Sequence, residues 1–413
     1  MAASGLLEIE DARRLVLGAA MPLAAEPVDL RSALGRVLAE DLSADRPVPA
    51  FDSSAMDGFA VRAVDVADAG ERNPALLRVI DESRAGAPAR ASLGDGQAIT
   101  ISTGAVLPAG ADAIVPVEDT RRQDGRVEVL AVAAVGAHVR RAGDDVRAGQ
   151  AVLARGAAIG AAELGVLASL GAATVRCSRR PRLSVLVSGD ELLMPGEPFR
   201  PGAVRDSNSL TISALARGDG AEVIGSATVQ DEADATVAAI AASVKGADVA
   251  VICGGVSVGE HDHVRPSLQA LGAQPAFWGL ALKPGRPTWF GTLGATLVFG
   301  LPGNPVSAMV TFVLLVRPAL RALLGLPPQL RRPTAVMEHD YEKPAGRAHA
   351  VRCRISVHED GWHAEPTGAQ GSHVLTSMLD ADALAILPTD AVAVHAGERV
   401  EIEPLQPWTG APL

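Results

Sequence analysis

Residues 181–325 alternate between short apolar strands and helical segments, and no other feature constrains the fold of this chain as strongly. Strands are predicted at 183–187, 222–225, 248–253 and 296–299, and helices at 207–217, 232–245, 266–271 and 304–324. Asp231 and Asn304 are predicted to cap two of these helices, with Pro305 in the first helical position. Strands that alternate with helices form a parallel sheet covered on both faces. The segment therefore predicts an α/β domain with a mostly parallel sheet.

The regions on either side of this α/β domain have a different character. Helical patterns at 7–20 and 156–170 are predicted to share one N-terminal domain. Between them lie short β-rich runs with a hairpin turn at Asp124-Gly125, which predict an inserted β-rich domain. After Pro327-Pro328, residues 333–405 contain short strand-like runs and predict a small all-β domain. The predicted domains are 1–45 with 141–180, 46–140, 181–327 and 328–413.

Composition excludes several classes of protein. The net charge of −11 argues against non-specific nucleic-acid binding, which requires a basic surface. The three cysteines are far apart and have no metal-binding or redox spacing. No signal peptide is expected, because acidic residues interrupt the N-terminus early. The apolar run 306–316 is too short to span a bilayer, so we expect a soluble cytoplasmic protein without membrane contact.

Three of the predicted strands lead into loops rich in glycine, serine and acidic residues. The loops read SGDEL (188–192), GGVSVGEHDH (254–263) and GLPGNPVSA (300–308). The carboxyl ends of parallel strands meet at one edge of the sheet, where open α/β sheets bind ligands. Glycine lets the backbone approach a ligand closely, and N–H groups at a helix start attract anions. Each loop alone is typical of an ordinary turn, but together they predict a pocket for phosphate or another oxyanion.

The second loop raises the question of whether its histidines or its acids bind a metal. His261 and His263 are two residues apart in a loop, and no further ligand at zinc spacing lies nearby. A structural zinc is therefore not expected there. Glu191 and Asp262 lie on neighbouring loops, and oxygen ligands beside a phosphate pocket suit Mg²⁺. We therefore expect these two carboxylates to be the metal ligands.

Nine short motifs occur together and in order along the chain. They read FDSSAMDGFAV, STGAVLPAGADAIVPVED, RRAGDD, SGDEL, RDSN, GGVSVGEHD, LKPGRP, GLPGNPVSA and GAQGSH. This series resembles the molybdopterin molybdenumtransferase family, which includes the E domain of gephyrin, over residues 7–405. A single motif of this kind has low specificity, whereas nine in order are highly specific.

The resemblance implies a fold and a reaction. The implied protomer is elongated and has four domains, of which the third is the molybdopterin-binding α/β domain and the fourth a small β-barrel. Two protomers would form a homodimer, with each active site between the α/β domain of one subunit and the N-terminal domains of the other. The implied substrates are adenylylated molybdopterin and molybdate, with a divalent cation, Mg²⁺, as cofactor. Molybdenum enters the dithiolene, AMP leaves and the molybdenum cofactor is released.

The resemblance also implies roles for individual residues. The implied catalytic residues are Asp57, Thr103, Asp145, Glu191, Asp231 and Asp262. The implied substrate-binding residues are Ser188, Gly189, Asp190, Gly254, Gly255, Ser257, Gly259, Lys283, Arg286, Pro302, Gly303, Asn304, Pro305 and Ser372. Arg286 stands where the family pattern usually has a second lysine, which keeps the charge but changes its geometry.

Two alternative functions have the same or a related fold. A scaffold such as gephyrin would not require Asp57, Glu191 and Asp262, and this chain retains all three. Molybdopterin adenylyltransferase shares the α/β domain but lacks the N-terminal β-rich region and the C-terminal barrel, and 413 residues exceed its needs. The resemblance further implies transient contacts with molybdopterin adenylyltransferase and with molybdoenzyme acceptors.

Overall fold

The computed structural model describes residues 5–256, 262–327 and 332–406. Its N-terminal part contains helices α1 (Ile9–Ala19) and α2 (Ala161–Ser169) and short 3₁₀ helices at Leu30–Ser32, Ala63–Val66 and Val117–Asp119. The strands of this part are β1 (Ala25–Asp29), β2 (Leu42–Ser43), β3 (Ser53–Ser54), β4 (Gly58–Val61), β5 (Ala75–Ser83), β6 (Gln97–Ile101), β7 (Ala113–Pro116), β8 (Thr120–Gln123), β9 (Arg126–Val129), β10 (Val139–Arg140), β11 (Ala151–Leu153) and β12 (Thr174–Ser178).

A six-stranded sheet forms the centre of the β-rich region, in the order β7-β4-β6-β5-β9-β8. The hairpin predicted at Asp124-Gly125 is present between β8 and β9. Both turn residues have positive φ, 41° and 77°, as the tight two-residue hairpin turn requires. Asp tolerates this conformation and Gly favours it, which explains why this dipeptide predicts the turn.

The two N-terminal helices pack in different cores. The strand pairs β1–β12 and β2–β11 bring residues 25–43 back to residues 151–178. Leu167 of α2 is buried in the core of this unit. The buried face of α1, including Ile9 and Val16, packs instead in the core of the α/β domain. The grouping of both helices in one N-terminal domain stays a prediction.

The predicted α/β domain is confirmed as a mostly parallel sheet. Its strands are β13 (Arg182–Ser188), β14 (Leu192–Leu193), β15 (Val204–Arg205), β16 (Glu222–Val229), β17 (Val249–Cys253), β18 (Gln274–Trp278), β19 (Leu282–Lys283), β20 (Trp289–Leu293) and β21 (Thr296–Leu301). The main sheet has the order β16-β13-β17-β21-β20-β18. The first four of these strands pair in parallel, whereas β20 pairs antiparallel with both β21 and β18. Every residue of β17 is buried, as expected for a central strand covered on both faces.

The N-terminal capping of two helices in this domain differs from the prediction. They are α3 (Asn208–Gly218), α4 (Ala233–Val244), α5 (Val264–Ala270), α6 (Pro305–Thr311) and α7 (Arg317–Leu323). The cap of α4 is Glu232, whose carboxylate accepts from the N–H groups of Asp234 and Ala235, and the predicted cap Asp231 is wrong. Asn304 occupies the N-cap position of α6, with Pro305 first in the helix, but its side chain makes no capping bond. Both side chains are used in tertiary contacts instead.

A long buried helical stretch runs through the α/β domain. Helices α6 and α7 are joined by a π-helical segment, Phe312–Val316, in which every residue is buried. By length and composition alone, the stretch Pro305–Leu323 could cross a membrane, which the shorter run 306–316 could not. However, 83% of it is buried inside the protein. It is therefore a core helix.

The C-terminal region closes into a small β-barrel, as expected. Its strands are β22 (Thr334–Met337), β23 (Tyr341–Glu342), β24 (Ala348–His358), β25 (Gly361–Pro366), β26 (Ala383–Leu387), β27 (Ala393–Val394) and β28 (Arg399–Pro404), with a 3₁₀ helix at Leu375–Met378. The ring β24-β25-β22-β28-β26 closes through the pairing of β26 with β24. Strand β19, in the connection between β18 and β20, also pairs with β24, so a segment of the α/β domain adds a strand to the barrel sheet.

Candidate functional site

The three predicted loops meet at one edge of the central sheet. Val187 pairs with Cys253, and Cys253 pairs with Leu301, so the three strands end level with one another. The loops that follow start at Ser188, Gly254 and Pro302. Because the strands are parallel, all three loops leave the sheet at its carboxyl edge. The structure therefore assembles the predicted loop cluster.

Two glycines of the second loop occupy positions that no other residue fits without strain. Gly254 has a φ of 91°, and a Cβ there would lie 2.5 Å from the carbonyl oxygen of Ser188. Gly255 has a φ of 63°, and a Cβ there would lie 2.7 Å from Val264 Cγ2. Both the left-handed backbone and the close approach require glycine. Gly254 thus packs directly against the first loop, and Gly255 packs against the first residue of α5.

A hydrogen-bonded chain links the first loop to the start of α4. Ser188 donates from Oγ to Asp231 Oδ1 over 2.6 Å. The backbone N–H of Asp231 donates to Asp190 Oδ1 over 3.0 Å. The Gly189 N–H donates to the carbonyl of Val229 over 3.2 Å. Asp231 therefore holds the loop in place, which explains why it does not cap α4.

The two predicted metal ligands lie on adjacent loops of this edge. Glu191 is exposed, and its carboxylate turns back over Gly189, where a Cβ would lie 2.6 Å from Oε2. Asp262 lies in the loop before α5 and is partly buried. Both offer hard oxygen donors, which suit Mg²⁺. Of the other predicted residues in the second loop, Ser257 and Gly259 lie outside the described residues. His261, which was not expected to bind a metal, lies outside them too, and His263 occupies the N-cap position of α5.

The loop that carries Lys283 and Arg286 reaches the same edge. Strand β20 is antiparallel to β21 and begins at Trp289, which pairs with Gly300 near the carboxyl end of β21. The connection from β18 to β20 therefore starts and ends at the carboxyl edge, and Trp278 at the end of β18 donates from Nε1 to the carbonyl of Val256 in the second loop over 3.0 Å. Both Lys283 and Arg286 are exposed. They supply positive charge at an edge that also carries several carboxylates.

The third loop is held by contacts from two other parts of the chain. Asn208 donates from Nδ2 to the carbonyl of Gly303 over 2.7 Å. Asn304 donates from Nδ2 to Ser372 Oγ over 3.0 Å. The predicted residues Pro302, Gly303, Asn304, Pro305 and Ser372 are thus brought together, although Ser372 belongs to the C-terminal region.

Two buried polar residues were not among the predicted site residues. Asp206 is 2% exposed, and its Oδ1 accepts from the N–H of Ser209 while Oδ2 has no partner among the described residues. Asn208 Oδ1 likewise has no partner among them. Buried polar atoms are normally hydrogen-bonded, so two such acceptors in one short segment are unusual. Both residues belong to the RDSN motif, which was the signal that could have identified them.

A second group of predicted residues assembles in the N-terminal region. Thr103 donates from its N–H and its hydroxyl to Asp57 Oδ1, over 2.7 and 3.0 Å. These bonds, the N–H first, hold the pKa of Asp57 below its ordinary value. Asp145 is exposed, and its N–H bonds to the carbonyl of Val48. The hydrogen bonds described for Asp57, Thr103 and Asp145 all remain within the N-terminal half of the chain.

A cavity of about 760 Å³ lies away from both groups, between α1, α7 and the barrel. Its charged lining includes Arg13, Arg332 and Glu403. Glu403 accepts from both arginines, over 3.3 and 2.9 Å. None of the predicted site residues lines this cavity, and its charges pair with one another across the junction between α1 and the barrel.

Models of three protein regions match the chain in sequence order. They are described as "MoeA N-terminal region (domain I and II)" (residues 7–171), "Probable molybdopterin binding domain" (184–322) and "MoeA C-terminal region (domain IV)" (334–405). The second match covers the sheet with the three loops, and the third covers the barrel.

Full-length relatives and a solved structure agree with this assignment. The molybdopterin molybdenumtransferase of Haemophilus influenzae is 36% identical, with 98% of this chain and 100% of the relative covered. Molybdopterin molybdenumtransferase 2 of Mycobacterium tuberculosis is 38% identical over 91% of this chain and 94% of the relative. The crystal structure of a molybdopterin biosynthesis MoeA protein from Pyrococcus horikoshii superposes with a TM-score of 0.85 at 31% identity, covering 98% of this chain and 100% of that chain. The resemblance inferred from the motifs is confirmed, and the chain belongs to the molybdopterin molybdenumtransferase family.

Proposed function

We propose that this protein transfers molybdenum from molybdate into adenylylated molybdopterin, with release of AMP and molybdenum cofactor. The observation that carries the proposal is the convergence of four loops, at Ser188, Gly254, Lys283 and Pro302, on one sheet edge. Such an edge binds ligands in open α/β sheets. Membership of the family supports the same reaction.

The charge at this edge suits an anionic substrate. The chain has a net charge of −11, while phosphates and molybdate are anions, so positive groups are needed locally. Lys283 and Arg286 supply them from one loop. Gly254 and Gly255 let the backbone of a second loop come close to the ligand.

Polar contacts between loops keep this surface in a fixed shape. Ser188, Asp190 and Asp231 fix the first loop, and Asn304 and Ser372 join the third loop to the C-terminal region. A preorganised surface stabilises developing charge without having to rearrange during the reaction. We therefore assign Asp231, Asn304 and Ser372 to the positioning of loops and substrate.

Glu191 and Asp262 are the proposed ligands of Mg²⁺, because both offer carboxylate oxygens beside the proposed phosphate site. When bound there, Mg²⁺ would act as a Lewis acid on the phosphoanhydride of the substrate. The protein's own contribution is to hold the two carboxylates on adjacent strand ends.

The N-terminal acids are proposed to complete the site across a homodimer. Asp57 and Thr103 form one hydrogen-bonded pair, and Asp145 lies in the same region. A partner subunit would bring this group to the sheet edge. We also propose the domain boundaries 1–45 with 141–180, 46–140, 181–327 and 328–413. A cytoplasmic location and transient contacts with molybdopterin adenylyltransferase and molybdoenzymes are further parts of this proposal.

Two parallel incubations of the purified protein separate this function from its alternatives. One contains adenylylated molybdopterin, Mg²⁺ and molybdate, and the other contains molybdopterin, Mg²⁺ and ATP. The proposal predicts AMP and active cofactor in the first and no adenylylated product in the second. Adenylylation in the second would indicate an adenylyltransferase, and no turnover in either would indicate a scaffold. The full-length relatives that carry the transferase name do not favour either alternative.

A further inference from the structure

Three side chains of metal-ligating type lie together on the C-terminal barrel, and none of them belongs to the proposed site. Glu338 follows β22, His358 ends β24 and His363 lies in β25. One ligand atom from each lies within 4.8 Å of the other two. The motifs and the transferase reaction assign no role to any of them.

The pairing of three strands explains why these residues meet. His363 pairs with Ser356 across the β24–β25 hairpin, and with Val336 on β22. Side chains two residues apart on a strand share a face, so His358 lies on the face of Ser356, and Glu338 continues the face of Val336. The neighbours on the opposite face, such as Ala364, are buried in the barrel core. The cluster therefore faces outward, where ions in solution reach it.

The spacing of the ligand atoms is close to that of a tetrahedral metal centre. His358 Nε2 lies 3.5 Å and His363 Nδ1 lies 3.7 Å from Glu338 Oε1. Zinc bonds to nitrogen and oxygen of about 2.0–2.1 Å place tetrahedral ligands about 3.3 Å apart. The two imidazole rings are stacked, with centroids 4.0 Å apart and planes 16° apart, so at least one ring must turn for both nitrogen lone pairs to point at one ion. Ser356 Oγ lies between the same groups, 3.0 Å from His358 Nε2 and 3.3 Å from Glu338 Oε1.

A carboxylate outside the cluster prepares His363 to act as a ligand. His363 Nε2 lies 2.8 Å from Asp360 Oδ1, and an ionised carboxylate only accepts hydrogen bonds. The proton of a neutral His363 therefore sits on Nε2, which leaves the lone pair of Nδ1 directed at the cluster. Histidine ligands of metals almost always donate their second N–H in this way.

We propose that Glu338, His358 and His363 bind one Zn²⁺ ion on the surface of the barrel, with the fourth position open to water. Two imidazoles and one carboxylate suit zinc, whereas Mg²⁺ and Ca²⁺ prefer oxygen ligands. The ion would connect β22, β24 and β25, and so would stabilise the barrel. This inference does not depend on the transferase function.

The test measures zinc binding by the full-length protein after removal of metals with a chelator. Titration with Zn²⁺ in competition with a chromophoric chelator gives the affinity and the stoichiometry, and Co²⁺ substitution reports four-coordinate geometry by its visible absorption. We expect one ion per chain at this site, and the same ion in a Glu191→Gln/Asp262→Asn protein. The double variant His358→Gln/His363→Gln should lose about 100-fold or more in affinity, and Asp360→Asn about 10- to 100-fold.

A matched control lies on the same barrel. His339 is an exposed histidine 3.8 Å from Glu365, and His339→Gln should bind zinc as the wild type does. Thermal unfolding without metal checks that each variant is folded, and Zn²⁺ should raise the unfolding temperature of the wild type but not of the double variant. A wild type without stoichiometric zinc, or a folded double variant with wild-type affinity, would overturn the proposal.

Discussion

Asn304 Nδ2 donates to Ser372 Oγ over 3.0 Å and so ties the first turn of α6 to a loop of the C-terminal region. The two residues are 68 positions apart. Asn304 occupies the N-cap position of α6, but its side chain makes no capping bond. The bond couples the barrel to the sheet edge that we propose as the substrate site.

Ser372→Ala tests this coupling. The bond is exposed, so we expect the free energy of unfolding to change by about 1 kcal/mol or less. Binding of adenylylated molybdopterin should weaken by up to roughly tenfold, the effect of one lost hydrogen bond. Ser243→Ala is the control, because Ser243 Oγ donates to the carbonyl of Ile240 within α4. Equal substrate affinities of the two variants would contradict the coupling.

Gly254→Ala tests the close packing of the loops. Its backbone has a φ of 91°, and the new Cβ would lie 2.5 Å from the Ser188 carbonyl oxygen. Gly272→Ala is a matched control, since Gly272 also has positive φ, 82°, but open space around it. We expect the control to cost about 1 kcal/mol of unfolding free energy, and Gly254→Ala to cost clearly more and to weaken substrate binding. Urea unfolding measures the free energy of unfolding, and a binding titration measures the substrate affinity. Equal losses of unfolding free energy in the two variants would show that the loops can move apart at little cost.

Asp262→Asn tests the proposed Mg²⁺ site. The substitution removes one carboxylate charge from a loop, so AMP release should be abolished while the unfolding temperature stays within a degree or two of the wild type. Asp380→Asn alters an exposed acid on the C-terminal region and should leave AMP release unchanged. Normal turnover by Asp262→Asn would remove this residue from the proposed metal site.

Complementation tests whether the site is shared between subunits. Asp57→Ala and Asp262→Ala proteins should each be inactive alone. After subunit exchange, a heterodimer with both substitutions on different chains would contain one intact site. Activity should therefore return on mixing, with exchange followed by native mass spectrometry. Confirmed exchange without activity would place Asp57 and Asp262 in the same subunit's site.

His349 should make the barrel sensitive to acid. It is 3% exposed, and burial, followed by the charges of Lys283, Lys343 and Arg347, lowers its pKa to about 4. The unfolded chain, with an ordinary pKa near 6.5, takes up the proton first. This contribution to stability is therefore complete above about pH 6.5 and is lost as the pH falls towards 4.

The expected loss over this window is up to roughly 3 kcal/mol, and it should be absent in His349→Asn. Urea unfolding across the window measures it, with the exposed His395→Asn as control. Parallel pH dependences of the wild type and His349→Asn would show that His349 does not cause the acid sensitivity.

Local pattern was sufficient to predict the sheet and its loops. Short apolar strands that alternate with helices form a parallel sheet, and the loops that follow parallel strands leave the sheet at one edge. The pattern could not distinguish Asp231 from Glu232 as the cap of α4, because both can accept N–H bonds and the choice depends on Ser188. Asp57 and Thr103 were connected only by the family resemblance, since the strands that join them pair over a long sequence distance.

The cluster of Glu338, His358 and His363 on the barrel could not be predicted from local sequence pattern either. His358 and His363 flank Asp360-Gly361 in the turn of the β24–β25 hairpin, but Glu338 joins them through the parallel pairing of β22 with β25. Pairing between distant strands is not encoded in local periodicity. The two histidines considered first, His261 and His263, stand out in sequence only because they are adjacent to acids.

A single-turnover experiment with protein in excess over adenylylated molybdopterin tests the central claim most directly. AMP and molybdenum-loaded cofactor are quantified from the same sample, with Mg²⁺ present and with or without molybdate. We expect one molybdenum atom inserted for each AMP released when molybdate is present, and no molybdenum-loaded cofactor when molybdate is absent. Release of AMP with molybdate present but without incorporation of molybdenum would contradict it.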